Sequence, residues 1–187
     1  YNDNQGGYID NVYGTTTIDP VVSNTNRAPF GVFIPEDGSI AIETTDNREL
    51  VEENFNDASY QGFRFGIKHV FNDNWNILVQ HTAQDLNVDG VFDYDPAIGD
   101  LQVQRFFKDE LTDKLGLTTW TVEGRLSNLD LIYTGGYVDR EVSQGIDYTG
   151  YNNVGSYVGT YTCNYDASYV ATACHNPVKA YQYRFKK

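Results

Sequence analysis

The chain has 187 residues, 40% of them hydrophobic, and a formal net charge of -13, which fits one ordinary domain with an acidic surface. An acidic surplus of that size repels phosphate backbones and disfavours a nucleic-acid partner, and no apolar run reaches the length of a membrane helix. If this chain spans a membrane, it does so with strands.

The sequence opens on Tyr1 and contains no methionine and no signal peptide, so it is expected to be a mature product or a piece of a longer protein. Residues 1–9 read as the end of a strand, and 10–57 as a long connection that gathers Asp37, Glu43, Asp46, Glu49, Glu52 and Glu53. A hairpin follows over 60–84. Phe63, Phe65, Ile67, His69 and Phe71 take one parity while Gly62, Arg64, Gly66, Lys68 and Val70 take the other, the period of a strand. Asn72, Asp73 and Asn74 make a turn of residues that tolerate left-handed backbone. Trp75, Ile77, Val79 and Ala83 then resume the apolar face opposite Asn76, Gln80, Thr82 and Gln84. His69 and His81 fall on the outward, apolar parity.

The second connection, 86–114, begins with a sharper signal. Asp85, Asn87, Asp89 and Gly90, with Asp93 and Asp95 beyond, satisfy the opening of a calcium loop, where alternate carboxylates surround a hard cation and glycine makes the tight turn. Pro96 stands where the bidentate glutamate belongs, so calcium enters as an optional ligand beside the plainer reading of a solvated acidic turn. Farther on, Phe92, Tyr94, Arg105, Phe106 and Phe107 set one cation among aromatic faces, suited to an anionic chelate or a sugar, or to packing between loops.

A second hairpin spans 115–139. Trp120, Val122, Gly124 and Leu126 alternate with Thr119, Thr121, Glu123 and Arg125; Ser127 and Asn128 turn the chain; Leu129, Leu131, Tyr133, Gly135 and Tyr137 return opposite Asp130, Thr134 and Gly136. Each strand is expected to run about ten residues, the length that carries a tilted strand across the hydrocarbon layer. Phe71, Trp75 and Tyr137 sit where an aromatic girdle belongs. A soluble sheet with one wet face produces the same alternation. Short turns at one end and long connections at the other favour an outer-membrane barrel, with extracellular loops at 10–57, 86–114 and 143–187.

The last of these is rich in tyrosine: Tyr148, Tyr151, Tyr157, Tyr161, Tyr165 and Tyr169 offer flat apolar faces with polar tips, for ligand contact or for packing loops together. It also holds Cys163 and Cys174. An oxidising compartment would pair them, closing a loop of about ten residues for something under about 3 kcal/mol; free thiols are the other reading. Neither a nucleophile elbow nor an ordered Ser-His-Asp set occurs, so the chain reads as a non-enzyme.

Several stretches resemble TonB-dependent outer-membrane receptors. They are Asn54-Phe-Asn-Asp-Ala-Ser-Tyr-Gln-Gly-Phe-Arg-Phe-Gly-Ile-Lys-His-Val-Phe71, Asn72-Asp-Asn-Trp75, Gln80-His-Thr82, Asp89-Gly-Val-Phe-Asp-Tyr-Asp-Pro96, Val103-Gln-Arg-Phe-Phe107 and Asp147-Tyr-Thr-Gly-Tyr151, with the opening Gln5-Gly-Gly-Tyr-Ile-Asp-Asn11. The resemblance covers nearly the whole chain and rests on the order of these segments. It implies an all-β fold: one sector of a 22-stranded transmembrane antiparallel barrel in the outer membrane, lacking the plug domain and the TonB box. It further implies uptake of a scarce siderophore-type chelate, cobalamin or oligosaccharide, energised through TonB, with outer-membrane lipid around the wall and no required cofactor. On that register Arg64, Lys68, Gln80, Thr82, Glu123, Arg125 and Asp130 face the lumen, where they would brace a plug or hydrate the channel. The rival from a different class is a secreted, calcium-assisted β domain that binds glycans; a surface or fibre subunit is a third.

Overall fold

A computed structural model describes residues 1–24, 31–153 and 158–187. Its strands are β1 (Asn2–Gln5), β2 (Asp10–Asn11), β3 (Thr15–Thr17), β4 (Ala41–Ile42), β5 (Thr44–Asp46), β6 (Ala58–Asn72), β7 (Trp75–Asp89), β8 (Gln102–Val103), β9 (Glu110–Leu126), β10 (Leu129–Asp147), β11 (Cys163–Tyr165), β12 (Ala171–Cys174) and β13 (Ala180–Lys186). Among the described residues three short α-helices, α1 (Pro20–Asn24), α2 (Thr149–Asn152) and α3 (Val158–Thr162), and one 3-10 turn (Arg48–Leu50) lie in the connections. None of the described helices is long and apolar enough to cross a membrane.

Six strands form one antiparallel wall in the order β1-β6-β7-β9-β10-β13. Its neighbours follow chain order, and the wall is an open sheet with β1 and β13 at its edges. The two short turns lie at one end. Asn72 pairs with Trp75, leaving Asp73 and Asn74 as the link, and the Asn74 N–H donates to Asn72 Oδ1 at 2.9 Å. At the other hairpin Leu126 pairs with Leu129, and Ser127 takes a φ of 59° so that two residues suffice. The connections 6–57, 90–109 and 148–179 all leave from the opposite end.

The wall strands β6, β7, β9 and β10 are 15, 15, 17 and 19 residues long, not about ten. The second connection is therefore 90–109 rather than 86–114. The third region, expected to be loop over 143–187, begins with wall strand up to Asp147 and returns as β13, paired with β10 from Glu141↔Lys186 to Asp147↔Ala180. The extra length hides because sidedness inverts along each strand. Near the turns, Phe65, Ile67, Val79 and Trp120 take the face that farther up carries Asp85, Asn87, Asp89 and Lys114; Leu86, Val88, Leu111 and Ile146 then lie on the opposite face. A single apolar parity stops at the inversion while the backbone ladder continues.

Two glycines on the apolar face make room for indole rings. A Cβ on Gly124 would stand 2.3 Å from the ring of its register partner Trp75, and one on Gly135 would stand 2.6 Å from Trp120. Each tryptophan lies across its glycine neighbour, so the face keeps its bulk without crowding.

The buried apolar core lies in the long connections. Ile18, Val32, Ile34, Cys163, Ala171 and Cys174 cluster, with Ile40 and Ile42 packed against them. This brings the first and third connections into one cap above the wall, through the parallel pairing of β4 with β12. Cys163 and Cys174 are bonded within it as paired residues of β11 and β12, Cα atoms 4.0 Å apart. Closing a loop of that size restricts the unfolded cap by about 3 kcal/mol. The double variant Cys163→Ala/Cys174→Ala, or chemical reduction, should raise hydrogen exchange across β11, β12 and Ile34 while leaving β6 to β10 protected. Equal loss in cap and wall would show that the two do not unfold separately.

Candidate functional site

The wall presents two chemically distinct faces. In register, Phe63↔Ala83, Phe65↔His81, Ile67↔Val79 and His69↔Ile77 continue into Val79↔Trp120 and Ile77↔Val122, then Val122↔Tyr133 and Leu126↔Leu129. These side chains share one face, on which β7 and β9 residues such as Ile77, Trp120 and Val122 are half-buried and those of β6 and β10 uncovered: Ile67 is 62% exposed, Leu131 50% and Tyr137 65%, against 0–2% for Ile9, Ile18, Val32 and Ile34 in the cap. From Phe71 to Phe63 the band covers about 26 Å of strand at about 3.3 Å per residue. One polar ring inside it is satisfied, since His81 Nδ1 lies 2.9 Å from Thr118 Oγ1 with Phe63 and Phe65 on either side.

Arg64, Lys68, Gln80, Thr82, Glu123, Arg125 and Asp130, expected together, do share the other face by register. Several polar groups there are paired with one another: Arg125 Nε donates to Asp130 at 2.7 Å, Asn76 Nδ2 to Glu123 at 3.1 Å, and Arg140 Nε to Asp113 at 2.8 Å. Arg64 and Lys68 make no ion pair among the described residues.

Above the wall, the five candidate ligand residues serve different places. Tyr94 and Arg105 line one cavity of about 370 Å³ together with Asp93, Asp95 and Asp147. Phe107 and Arg105 border a second of about 280 Å³ beside Asp109, and Phe92 borders a third of about 200 Å³. Phe106 lines none of the three.

Arg105 is not a free cation. Its Nε is 3.0 Å from Oδ2 of Asp109, which is only 4% exposed; the two groups meet as an ion pair without hydrogen-bond alignment. Burial pushes the Asp109 carboxyl above the usual range, opposed by the Asp147 amide and by Arg105. Around this pair lies a knot of buried polar groups. The Asp147 N–H donates to Asp109 Oδ1 at 2.9 Å, and the Phe106 and Phe107 N–H groups donate to Asp147 Oδ2 at 2.6 and 3.3 Å. The Arg105 N–H donates to Asn11 Oδ1 at 2.7 Å, while Asn47 Nδ2 donates to the Arg105 carbonyl at 3.2 Å and the Val12 carbonyl at 2.9 Å. Asn56 works the same way lower down, accepting from Tyr8 and Ile9 N–H at 2.7 and 2.8 Å. The sequence reading missed these asparagines, because an asparagine in a connection looks solvated until a distant segment covers it.

The calcium candidates do not converge. Asp85, Asn87 and Asp89 occupy strand β7, where alternate residues stand about 6.6 Å apart along a straight line instead of curling round one point. Asp89 is ion-paired with Lys108 at 3.2 Å, and Asp95 accepts from the Ala97 N–H at 2.9 Å. Among the described residues no group of three or more His, Cys, Asp or Glu is arranged to hold a metal ion. The loop expectation is corrected to a strand, whose carboxylates share a face because they alternate.

Of the tyrosines, Tyr148 meets Tyr181 edge-on at 4.6 Å and Tyr151 at 5.9 Å, and Tyr165 stacks on Tyr169 at 5.7 Å. Tyr161 is exposed, and Tyr157 lies outside the described residues. No family model, curated protein or solved structure matches the chain.

Proposed function

We propose that the chain is a sector of the wall of an outer-membrane receptor of the TonB-dependent class, whose long connections form an extracellular cap that meets a scarce ligand. The carrying observation is the inversion of packing: large apolar side chains such as Phe63, Phe65, Ile67, Leu131 and Tyr137 are uncovered on the wall, while the buried core is in the loops. In water such a face would cost about 25 cal/mol per Å² left exposed. In lipid it is the stable arrangement, since the ladder satisfies backbone groups within the wall. Tilting a strand by about 40° brings the band to about 20 Å of height, close to the ~25 Å apolar belt of such barrels. Phe71 and Trp75 at the turn end and Tyr137 toward the other supply rings at its borders.

Six strands with free edges at β1 and β13 need further strands to close, so this wall is an arc of a larger cylinder. In that class a plug domain links the lumen to TonB, and Arg64 and Lys68 on the inner face are the groups left to meet it. The cargo falls among siderophore-type chelates, cobalamin and oligosaccharides. The rival, a secreted calcium-assisted domain, loses support with the strand placement of Asp85 and Asn87.

Cysteine labelling in intact outer membranes tests the reading, because the native pair is oxidised. Ile67→Cys and Leu131→Cys should react with a lipid-soluble maleimide and resist a water-soluble one, and Gln80→Cys should not share that protection. Recovery of the protein in the soluble fraction, or equal reaction of all three with the aqueous reagent, would reject it.

A further inference from the structure

On the face opposite the apolar band, above the level where sidedness inverts, the strands leave a recess of about 200 Å³. Val88 pairs with Leu111 and Leu111 with Gln144, while Ile146 stands next above Gln144 on the same face. Phe92 borders the recess from the connection 90–109. The register carries on into β13, where Gln144 pairs with Tyr183 and Ile146 with Tyr181; Phe185 follows below Tyr183. Alternate strand residues stand about 6.6 Å apart, so these three rings form a file running down the inner face. At its upper end Tyr148 meets Tyr181 edge-on at 4.6 Å and links the file to the cap. Tyr181 and Tyr183 are 60% and 56% exposed.

We propose that recess and file together bind a neutral sugar chain, one ring seated beside Gln144 and the following rings stacked on Tyr181 and Tyr183. The inference rests on the receptor reading given above and narrows its cargo to the oligosaccharide class. Gln144 carries it. Its side chain is half-buried in a recess with the apolar walls of Val88, Leu111, Ile146 and Phe92, and its amide makes no hydrogen bond among the described residues. An amide offers two donors and an acceptor, the set that neighbouring ring hydroxyls satisfy. The tyrosines add flat apolar faces for the C–H side of a sugar ring and hydroxyl tips for its edge.

Charge and size set the other two cargoes aside. Asp109 and Glu110 border the recess, but they are ion-paired with Arg105 and Lys108, and Asp113 in the row below is held by Arg140. An anionic metal chelate therefore meets no free cation at this place. A corrin ring is too large for the recess, which falls below the range of about 300–1,000 Å³ that encloses a drug-sized ligand.

The test uses the full-length receptor purified in mild detergent, after its presence in the outer-membrane fraction has been scored. Isothermal titration is run with linear neutral hexasaccharides of glucose, mannose, xylose and galactose, with an anionic ferric tricatecholate and with cyanocobalamin. One or more of the sugars should bind about tenfold or more tighter than either other ligand. Tyr181→Ala/Tyr183→Ala should weaken that sugar by about tenfold or more, while Tyr181→Phe/Tyr183→Phe keeps the ring faces and most of the affinity. Gln144→Leu should weaken it as well and serves where the alanine pair fails to assemble; Tyr133→Ala, on the lipid side, should change nothing. Failure of every sugar to bind, or tighter binding of the tricatecholate, would overturn the proposal. So would wild-type affinity in Gln144→Leu and in the alanine pair, and a plug domain that becomes protease-sensitive in that pair would then assign the tyrosines to packing. Absence of the wild-type protein from the membrane fraction would instead bring down the receptor reading beneath it.

Discussion

On the membrane reading proposed above, arginine at both Ile67 and Val79 should remove the protein from the outer membrane, whereas arginine at Gln80 alone should leave it there. Ile67 and Val79 are register partners near the middle of the exposed apolar band, and Trp120 is the next partner across. An arginine facing lipid at that depth costs about 2–4 kcal/mol, and two adjacent ones repel each other as well, so the sum is not a simple addition. This approaches the whole of a typical domain's stability. Gln80, one residue along the strand, points to the opposite face, where polar groups already pair with one another. The measurement is the fraction of each variant recovered in outer membranes and protected from protease; a double-arginine protein that assembles like the wild type would show that this face is not against lipid.

The second large effect belongs to the cap. Asp109→Ala should destabilise the cap by about 1–3 kcal/mol, because it leaves the buried Asp147 N–H without its acceptor and Arg105, whose side chain keeps 25% of its surface exposed, without its counter-charge. Asp109→Asn should cost less, since an amide oxygen still accepts from Asp147. The pH behaviour separates charge from shape. The folded carboxyl titrates above its unfolded value, with burial the leading cause, so its contribution is fully present below the ordinary carboxylate range and is lost as pH rises through the raised folded value. Exchange of the amides of 105–109 and 147–149 should therefore speed up over that window in the wild type and stay flat in Asp109→Asn. A flat wild-type profile would mean that Asp109 is not buried as described.

What the sequence showed depends on the range of the interaction that shapes each part. The hairpins were legible because alternation and turn residues are local: Phe63 to Phe71 name their face, and Asp73 with Asn74 names the reversal. Strand ends were not, since beyond Gln61 and Asp85 the polar and apolar sides exchange and a pattern reader sees a loop. Asp85, Asn87 and Asp89 looked like a cation loop because a ligand set and a polar strand face share the same spacing of two. The candidate cluster of Arg105 with its aromatics is divided among separate cavities, and the partners of Arg105 there, Asn11, Asn47, Asp109 and Asp147, come from two connections and the end of β10, so no single window of sequence contains them. Cys163 and Cys174 needed only proximity along the chain.

The bonds of the cap also set an order of events. Asn11 and Arg105 are 94 residues apart, Glu43 and Asn176 are 133, and Thr16 and Asn153 are 137, while the hairpins close across two. Contacts of such long sequence separation are entropically late. The strands can thus zip from their turns upward before the rim exists, and the rim is assembled last, from segments the finished wall has already delivered to the same place.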